Sequence, residues 1–105
     1  MLKNLRDSEL KEGDLVLNTK TSMAIRGKKK IHLTPQEFRL LEFMMRNKNN
    51  VLNRKLILNK VWLFSSEVDT RVVDVYIGYL RKKIDIGFRK KLILSKRGLG
   101  YILQE

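Results

Sequence analysis

The residues whose types and spacing could carry chemistry lie on one face of a helix predicted at about residues 71–84. At 100° per residue, one arc of this helix, the outer arc, mixes cations with apolar and aromatic groups: Arg71, Val75, Gly78, Tyr79 and Lys82. A helix that meets nucleic acid presents cations to phosphates and apolar or aromatic groups to bases, so the pattern predicts nucleic-acid recognition. The alternative is that Tyr76 and Tyr79 lean back over the edge of the core.

A second basic element follows near the end of the chain. Two apolar runs, 92–95 and 99–103, flank a short tip that contains Lys96, Arg97 and Gly98, which predicts a β-hairpin. A cationic tip of this kind can reach phosphates or a narrow groove. The alternative is an ordinary polar turn.

The composition excludes most catalytic and metal chemistry. The chain has no cysteine, which rules out disulfides, thiol nucleophiles and thiolate zinc sites. The single histidine, His32, has no nucleophile or carboxylate pair spaced around it and is interpreted as a solvated residue at a strand end. We therefore expect no enzymatic activity, no metal and no cofactor.

Length and charge narrow the class of protein further. The 105 residues suit one domain, and 23 Lys and Arg against 11 Asp and Glu give a formal net charge of +12. Such an excess points to a polyanion, that is DNA, RNA or an anionic membrane surface. The longest apolar run has four residues, and residues 1–12 lack the apolar region of a signal peptide, so neither a membrane span nor secretion is expected.

The remaining elements must position these two basic features. Residues 8–33 read as short antiparallel strands joined by tight turns. Thr34, Pro35 and Glu37 form the capping signature of a first helix that ends near Asn47, and Asn53 caps a second helix.

A third helix is capped by Asp69 or Thr70 and has its own core face. The predicted core positions fall in one narrow arc: Val73, Ile77, Leu80 and Ile84. Trp62 ends the second helix and is expected to anchor the following loop to the core.

Three helices closed by a hairpin make a winged helix-turn-helix, and the sequence resembles the DNA-binding effector domain of OmpR/PhoB-family response regulators. The matching segments are Leu33-Thr34-Pro35-Gln36-Glu37-Phe38, Leu40-Leu41, Val61-Trp62, Arg71-Val72-Val73-Asp74-Val75-Tyr76-Ile77, Leu80-Arg81-Lys82-Lys83 and Arg97-Gly98-Leu99-Gly100-Tyr101. The resemblance implies an α+β domain over residues 8–105, with a sheet in 8–32, helices and wing in 33–105, and a linker remnant in 1–7.

The resemblance also implies a function in transcriptional regulation in the cytoplasm. It implies that the third helix enters the major groove and the wing tip, about 96–98, meets the minor groove of double-stranded DNA. It implies tandem binding to direct repeats and a loop at 63–69 that contacts RNA polymerase, with Leu63, Phe64 and Glu67 as the contact residues. The chain is expected to be either a fragment of a longer regulator with an N-terminal receiver domain or a stand-alone effector, and the linker-like residues 1–7 favour the fragment.

Family positions and the outer arc together indicate the DNA-binding residues. They are Arg71, Val72, Val75, Tyr76, Tyr79, Arg81, Lys82, Ser95, Lys96, Arg97 and Tyr101. Four of these are expected to bind phosphates: Arg71, Arg81, Lys82 and Tyr101.

The chain departs from the family at Tyr76, Gly78 and Tyr79, where members often have histidine or polar and basic residues. Valine and tyrosine suit thymine methyls better than guanine, which predicts an A·T-biased operator. Two alternatives to DNA remain open: a basic RNA-binding or ribosomal-type protein, and a winged helix used only for protein contacts, against which the basic wing and helix argue.

Overall fold

The computed structural model describes residues 8–62 and 69–105, and within them four strands, three helices and two further strands follow one another. The elements are β1 (Glu9–Glu12), β2 (Leu15–Asn18), β3 (Met23–Arg26), β4 (Lys29–His32), α1 (Pro35–Arg46), α2 (Arg54–Val61), α3 (Arg71–Ile84), β5 (Ile93–Lys96) and β6 (Gly100–Leu103). The predicted winged helix-turn-helix is confirmed. No helix in the described residues is both long and apolar enough to cross a membrane.

The N-terminal sheet is an antiparallel meander in the order β1-β2-β3-β4. Side chains on strands alternate between faces, and Leu15 and Leu17 of β2 are fully buried while their neighbours are not. Ala24 and Ile31 extend the same inward face across β3 and β4. The sheet therefore covers one side of the helices.

Helix α1 begins as its capping residues predict. The Thr34 hydroxyl accepts from the Glu37 backbone N–H, and the Glu37 carboxylate accepts from the Thr34 N–H at 2.9 Å. The same carboxylate accepts from Lys83 Nζ of α3 at 2.6 Å. Burial alone raises the pKa of Glu37, but the bonds from Lys83 and Thr34 outweigh it and lower that pKa. The cap thus also joins α1 to α3.

Helix α3 turns its predicted apolar arc into the core. Val73, Ile77, Leu80 and Ile84 are all fully buried. Of the two capping candidates, Thr70 occupies the N-cap position without a side-chain bond, and Asp69 Oδ1 accepts from the Arg71 N–H at 2.8 Å. The opposite arc of the helix is consequently left to solvent.

The wing is tied to the link between α1 and α2. Leu52 exchanges two backbone hydrogen bonds with Tyr101 of β6, at 2.8 and 2.9 Å, so the segment between the two helices extends the β5-β6 hairpin. Gly100 has φ +140°, and a Cβ there would lie 2.0 Å from the Leu52 carbonyl oxygen. Only glycine permits this approach.

A buried ion pair joins the sheet to the end of α3. Arg26 is 1% exposed, and its guanidinium donates to the Ile84 carbonyl at 2.7 Å and to Asp85 Oδ1 at 3.1 Å. It also donates to Asp14 and to the Lys90 carbonyl, both at 2.5 Å.

The Asp85 carboxylate, equally buried, in turn fixes the entry to the wing. It accepts from the backbone N–H groups of Leu92 and Ile93 at 3.0 and 3.1 Å. The pair therefore connects β3, the end of α3 and the start of β5.

We expect Arg26→Leu to lower the free energy of unfolding by about 3–5 kcal/mol, because Asp85 would stay buried without its cation. Urea denaturation measures the change. Arg89→Leu, which removes an exposed arginine nearby, is the control and should cost under about 0.5 kcal/mol. A loss below about 1 kcal/mol for Arg26→Leu would contradict the role of the pair.

Candidate nucleic-acid interface

The outer arc of α3 is exposed as the sequence predicts. Val75 is 47% exposed and Tyr79 is 44% exposed, while Arg71 and Lys82 lie in solvent at the two ends of the arc. A Cβ built on Gly78 meets no atom within 4 Å, so the centre of this surface is open. The arc offers two cations around an apolar, aromatic centre.

Tyr79 on the arc and Tyr76 beside it differ in their surroundings. Tyr79 points outward, whereas Tyr76 and Val72 are partly buried and pack against the core. The alternative interpretation, in which the tyrosines cover the core edge, therefore holds for Tyr76 but not for Tyr79. The ring centroids of the two tyrosines are 5.1 Å apart in an edge-to-face contact.

The Arg71 side chain is oriented by Asp69, which lies just before α3. Its guanidinium donates to Asp69 Oδ2 at 2.8 Å, with 84% of the Arg71 side chain exposed. Hydrogen bonds from the side chain and then the backbone of Arg71 lower the pKa of Asp69. An exposed pair of this kind contributes little stability, so Arg71 can exchange its partner for a phosphate.

Tyr101 lies beneath the interface rather than on it. Its residue is 5% exposed, and its hydroxyl donates to Asp74 Oδ1, which also accepts from Arg54 Nε at 2.7 Å. The guanidinium groups of Arg54 and Arg81 lie 5.4 and 5.5 Å from the centre of the Tyr101 ring. The hydroxyl predicted to bind phosphate therefore already has an acceptor within the protein.

The contacts among Asp74, Tyr101 and Arg54 shift the pKa values of the first two. Burial alone raises the pKa of Asp74, but the hydrogen bonds from Tyr101 and Arg54 outweigh it, and the pKa of that carboxyl is lowered. Burial and then the nearby carboxylate raise the pKa of the Tyr101 phenol. The cluster is thus held with Asp74 charged and Tyr101 neutral at pH 7.

Arg81 joins α3 to the wing. Its guanidinium donates to the Ile93 carbonyl at 3.1 and 3.2 Å and to the Ser95 hydroxyl at 2.8 Å. Two residues predicted to contact DNA, Arg81 and Ser95, are therefore bonded to each other. Their contact sets the position of the hairpin relative to the helix.

The tip of the hairpin is cationic and exposed. Arg97 lies in solvent, Lys96 is partly exposed, and the Leu99 N–H donates to the Lys96 carbonyl at 2.8 Å to close the turn. Gly98 has φ +74°, which favours glycine at the tip. Leu99 is 64% exposed beside these cations and adds an apolar group to the tip.

The residues that hold this surface in place cannot be recognised from the sequence. The ion pairs Arg26–Asp85 and Arg54–Asp74 join residues 59 and 20 positions apart, so neither follows a local sequence pattern. Trp62 is partly buried against the core, and most of the loop that it is expected to anchor lies outside the described residues. The predicted polymerase-contact residues Leu63, Phe64 and Glu67 lie outside the described residues.

We expect Tyr101→Phe to lower the free energy of unfolding by about 1 kcal/mol at pH 7, because Asp74 loses a donor. With a lowered pKa, Asp74 contributes stability that is fully present above its unfolded pKa and is lost as the pH falls through its folded pKa. The difference in free energy of unfolding between the parent and Tyr101→Phe should therefore shrink below about pH 4.

Urea denaturation at pH values from 7 to 3 measures this difference. Tyr79→Phe, which removes an exposed hydroxyl, is the control and should show almost no loss at any pH. A Tyr101→Phe difference that stays constant over the whole pH range would contradict the coupling to Asp74.

Comparison with known proteins identifies the family. Residues 27–103 match the sequence profile of the family described as "Transcriptional regulatory protein, C terminal". The chain is 48% identical over 91 residues to the uncharacterized transcriptional regulatory protein YkoG of Bacillus subtilis (strain 168). This match covers 87% of the chain and 40% of YkoG.

Two solved structures share the fold. The response regulator DrrB, a Thermotoga maritima OmpR/PhoB homolog, superposes with a TM-score of 0.81 at 30% identity, over 93% of this chain and 45% of DrrB. The DNA-binding domain of the response regulator AdeR, in complex with an intercistronic region, gives a TM-score of 0.78 at 25% identity, over 90% of this chain and 98% of that one.

The chain thus spans less than half the length of YkoG and DrrB and nearly all of an isolated DNA-binding domain. The family match supports DNA as the ligand, and none of these comparisons supports the RNA-binding alternative. The chain therefore belongs to the OmpR/PhoB family of transcriptional regulators, as a C-terminal winged-helix DNA-binding domain.

Proposed function

We propose that this domain binds an A·T-biased operator, with α3 in the major groove and the hairpin tip at the minor groove. The observation that carries the proposal is the exposed arc of α3, where Val75 and Tyr79 lie between Arg71 and Lys82. Cations at both ends suit phosphates, and an apolar centre without a guanidinium suits thymine methyls. The complex of the related AdeR domain with an intercistronic region supports duplex DNA as the ligand.

The hairpin tip supports the same preference by a different route. Narrow A·T-rich minor grooves have an enhanced negative potential that attracts arginine, and Arg97 is exposed at the tip. Arg81 and Ser95 hold the hairpin beside α3, so the two elements can meet adjacent grooves together. In this proposal Arg81, Ser95 and Tyr101 chiefly position the surface, and any phosphate contact they make is secondary.

The proposal extends to assembly and partners. We infer tandem binding to direct repeats about one helical turn apart, since that spacing places two domains on one face of the DNA. The greater lengths of YkoG and DrrB support a receiver domain preceding this one, joined through residues 1–7. Because its ligand is chromosomal DNA, the domain would act in the cytoplasm.

Selection of bound sequences from a random duplex pool tests the operator directly. An A·T-biased pair of direct repeats is the expected outcome. A consensus dominated by G·C pairs at the major-groove positions would contradict the assignment of Val75 and Tyr79, and tighter binding to structured RNA than to any selected duplex would contradict DNA as the ligand.

We expect Lys82→Gln to weaken binding to all duplexes alike and to lower the slope of log K against log salt by about one unit, because one phosphate contact is lost. Fluorescence anisotropy at several salt concentrations measures the slope. Lys20→Gln makes the same charge change on an exposed turn of the N-terminal sheet and is the matched control. Equal slope changes for both variants would indicate diffuse attraction instead of a contact at Lys82.

We expect Tyr79→Arg to introduce a preference for guanine at the facing base pair, worth about 1–3 kcal/mol, since a guanidinium can donate to both guanine acceptors. Repeating the selection with the variant measures the preference. Tyr79→Phe keeps the ring and should keep the parental consensus. If the Arg variant also selects the parental consensus, Tyr79 does not face a base.

The segment around Leu63, Phe64 and Glu67 is proposed to contact RNA polymerase, because its acidic residues repel phosphates and its apolar residues offer a contact surface. We expect Glu67→Lys to leave operator affinity nearly unchanged and to reduce activated transcription in a reconstituted polymerase assay. Glu42→Lys on α1 is the matched control. Undiminished activation by the Glu67 variant would remove this role.

A further inference from the structure

Three aromatic rings form a continuous row from the end of α2 to the exposed arc of α3. The centroids of Trp62 and Tyr76 are 5.4 Å apart, and those of Tyr76 and Tyr79 are 5.1 Å apart. Trp62 and Tyr76 are partly buried and pack against the core, whereas Tyr79 at the end of the row is 44% exposed. The row therefore connects the packed interior with the proposed base-reading surface.

Both contacts in the row have the same edge-to-face geometry. The planes of each neighbouring pair are inclined at 73°, and the centroid distances lie in the favourable range for such pairs. Tyr76 and Tyr79 are neighbours on one helix face because they are three residues apart. Trp62 comes from another element, so it is the member that can fix the orientation of the tyrosine pair relative to the rest of the domain.

The surroundings of the Tyr79 ring make its orientation depend on its contact with Tyr76. Gly78, next to it, offers no side chain, and the space where a Cβ would stand is open. Val75, one turn earlier, is itself 47% exposed. Among the described residues, Tyr76 is the aromatic ring that packs against Tyr79.

We propose that Trp62 is a specificity-determining positioning residue: through Tyr76 it fixes the ring of Tyr79, which together with Val75 contacts a thymine methyl. The inference rests on the proposed function, because it requires α3 to lie in the major groove. A thymine C5-methyl is the apolar group available there, and an aromatic ring whose orientation is fixed can select it without a hydrogen bond. Trp62 acts through the tyrosines and need not touch the DNA.

The test replaces single thymines of the selected operator with deoxyuridine, which removes only the methyl group and keeps base pairing. Anisotropy titration of the full chain then gives the ratio of affinities for the thymine and deoxyuridine duplexes at each position. For the parent we expect a ratio of about four at one thymine of each half-site, the effect of one methyl group removed from water. At the other thymines the ratio should be close to one.

The variants separate positioning from direct contact. Trp62→Leu should reduce the ratio at the sensitive thymine to about one, and Trp62→Phe, which keeps a ring edge, should retain most of it. Tyr76→Leu should have the same effect as Trp62→Leu without changing the end of α2, and provides the test if the tryptophan variant fails to fold. Phe43→Leu, which shortens a partly buried aromatic residue of α1, is the matched control and should keep the parental ratio.

Three results would overturn the inference, and they differ in what else they affect. If the parent responds to deoxyuridine at no position, the proposed reading of thymine methyls fails together with it. If the parent shows the affinity ratio and both Trp62→Leu and Tyr76→Leu keep the parental value, the reading of thymine methyls stands and the positioning role fails. If Trp62→Leu weakens thymine and deoxyuridine duplexes by the same factor, Trp62 contacts the DNA backbone itself.

Discussion

The buried pair of Arg26 and Asp85 is the interaction on which the rest of the structure depends. Arg26 reaches from the N-terminal sheet to the last carbonyl of α3, and Asp85 receives the first backbone N–H groups of the wing. Burying a charge is costly unless hydrogen bonds compensate it, and here both partners have several. The N-terminal sheet, α3 and the wing therefore meet at this pair in the interior.

Two further connections carry this constraint to the surface. Arg81 bonds α3 to β5, and the bridge between Leu52 and Tyr101 bonds β6 to the link before α2. Tyr101 of β6 then bonds to Asp74 of α3, so both strands of the hairpin are joined to α3. The proposed binding surface is made from these two elements, and a site built on rigidly connected elements holds its geometry better than one built on independent parts.

The sequence predicts the elements well and the contacts between them poorly, for a physical reason. Caps such as Thr34 with Glu37 act within one turn, and the arc of Val73 and Ile77 repeats with the period of a helix, so both are visible locally. The pairing of Arg26 with Asp85 spans 59 residues and leaves no periodic trace. A family position likewise suggested a phosphate contact for Tyr101, but its hydroxyl is bonded to a carboxylate 27 residues away.

Gly78 has a consequence for how the specificity of this domain can change. Glycine costs about 1 kcal/mol in a helix interior relative to alanine, and this one has open space where a side chain would stand. A Cβ at this position meets no atom within 4 Å, so substitution by alanine or another good helix former strengthens the helix and adds a group beside Val75 and Tyr79. The proposed base-reading surface thus contains a position of low mutational cost, at which a single substitution can change the operator preference without loss of helix stability.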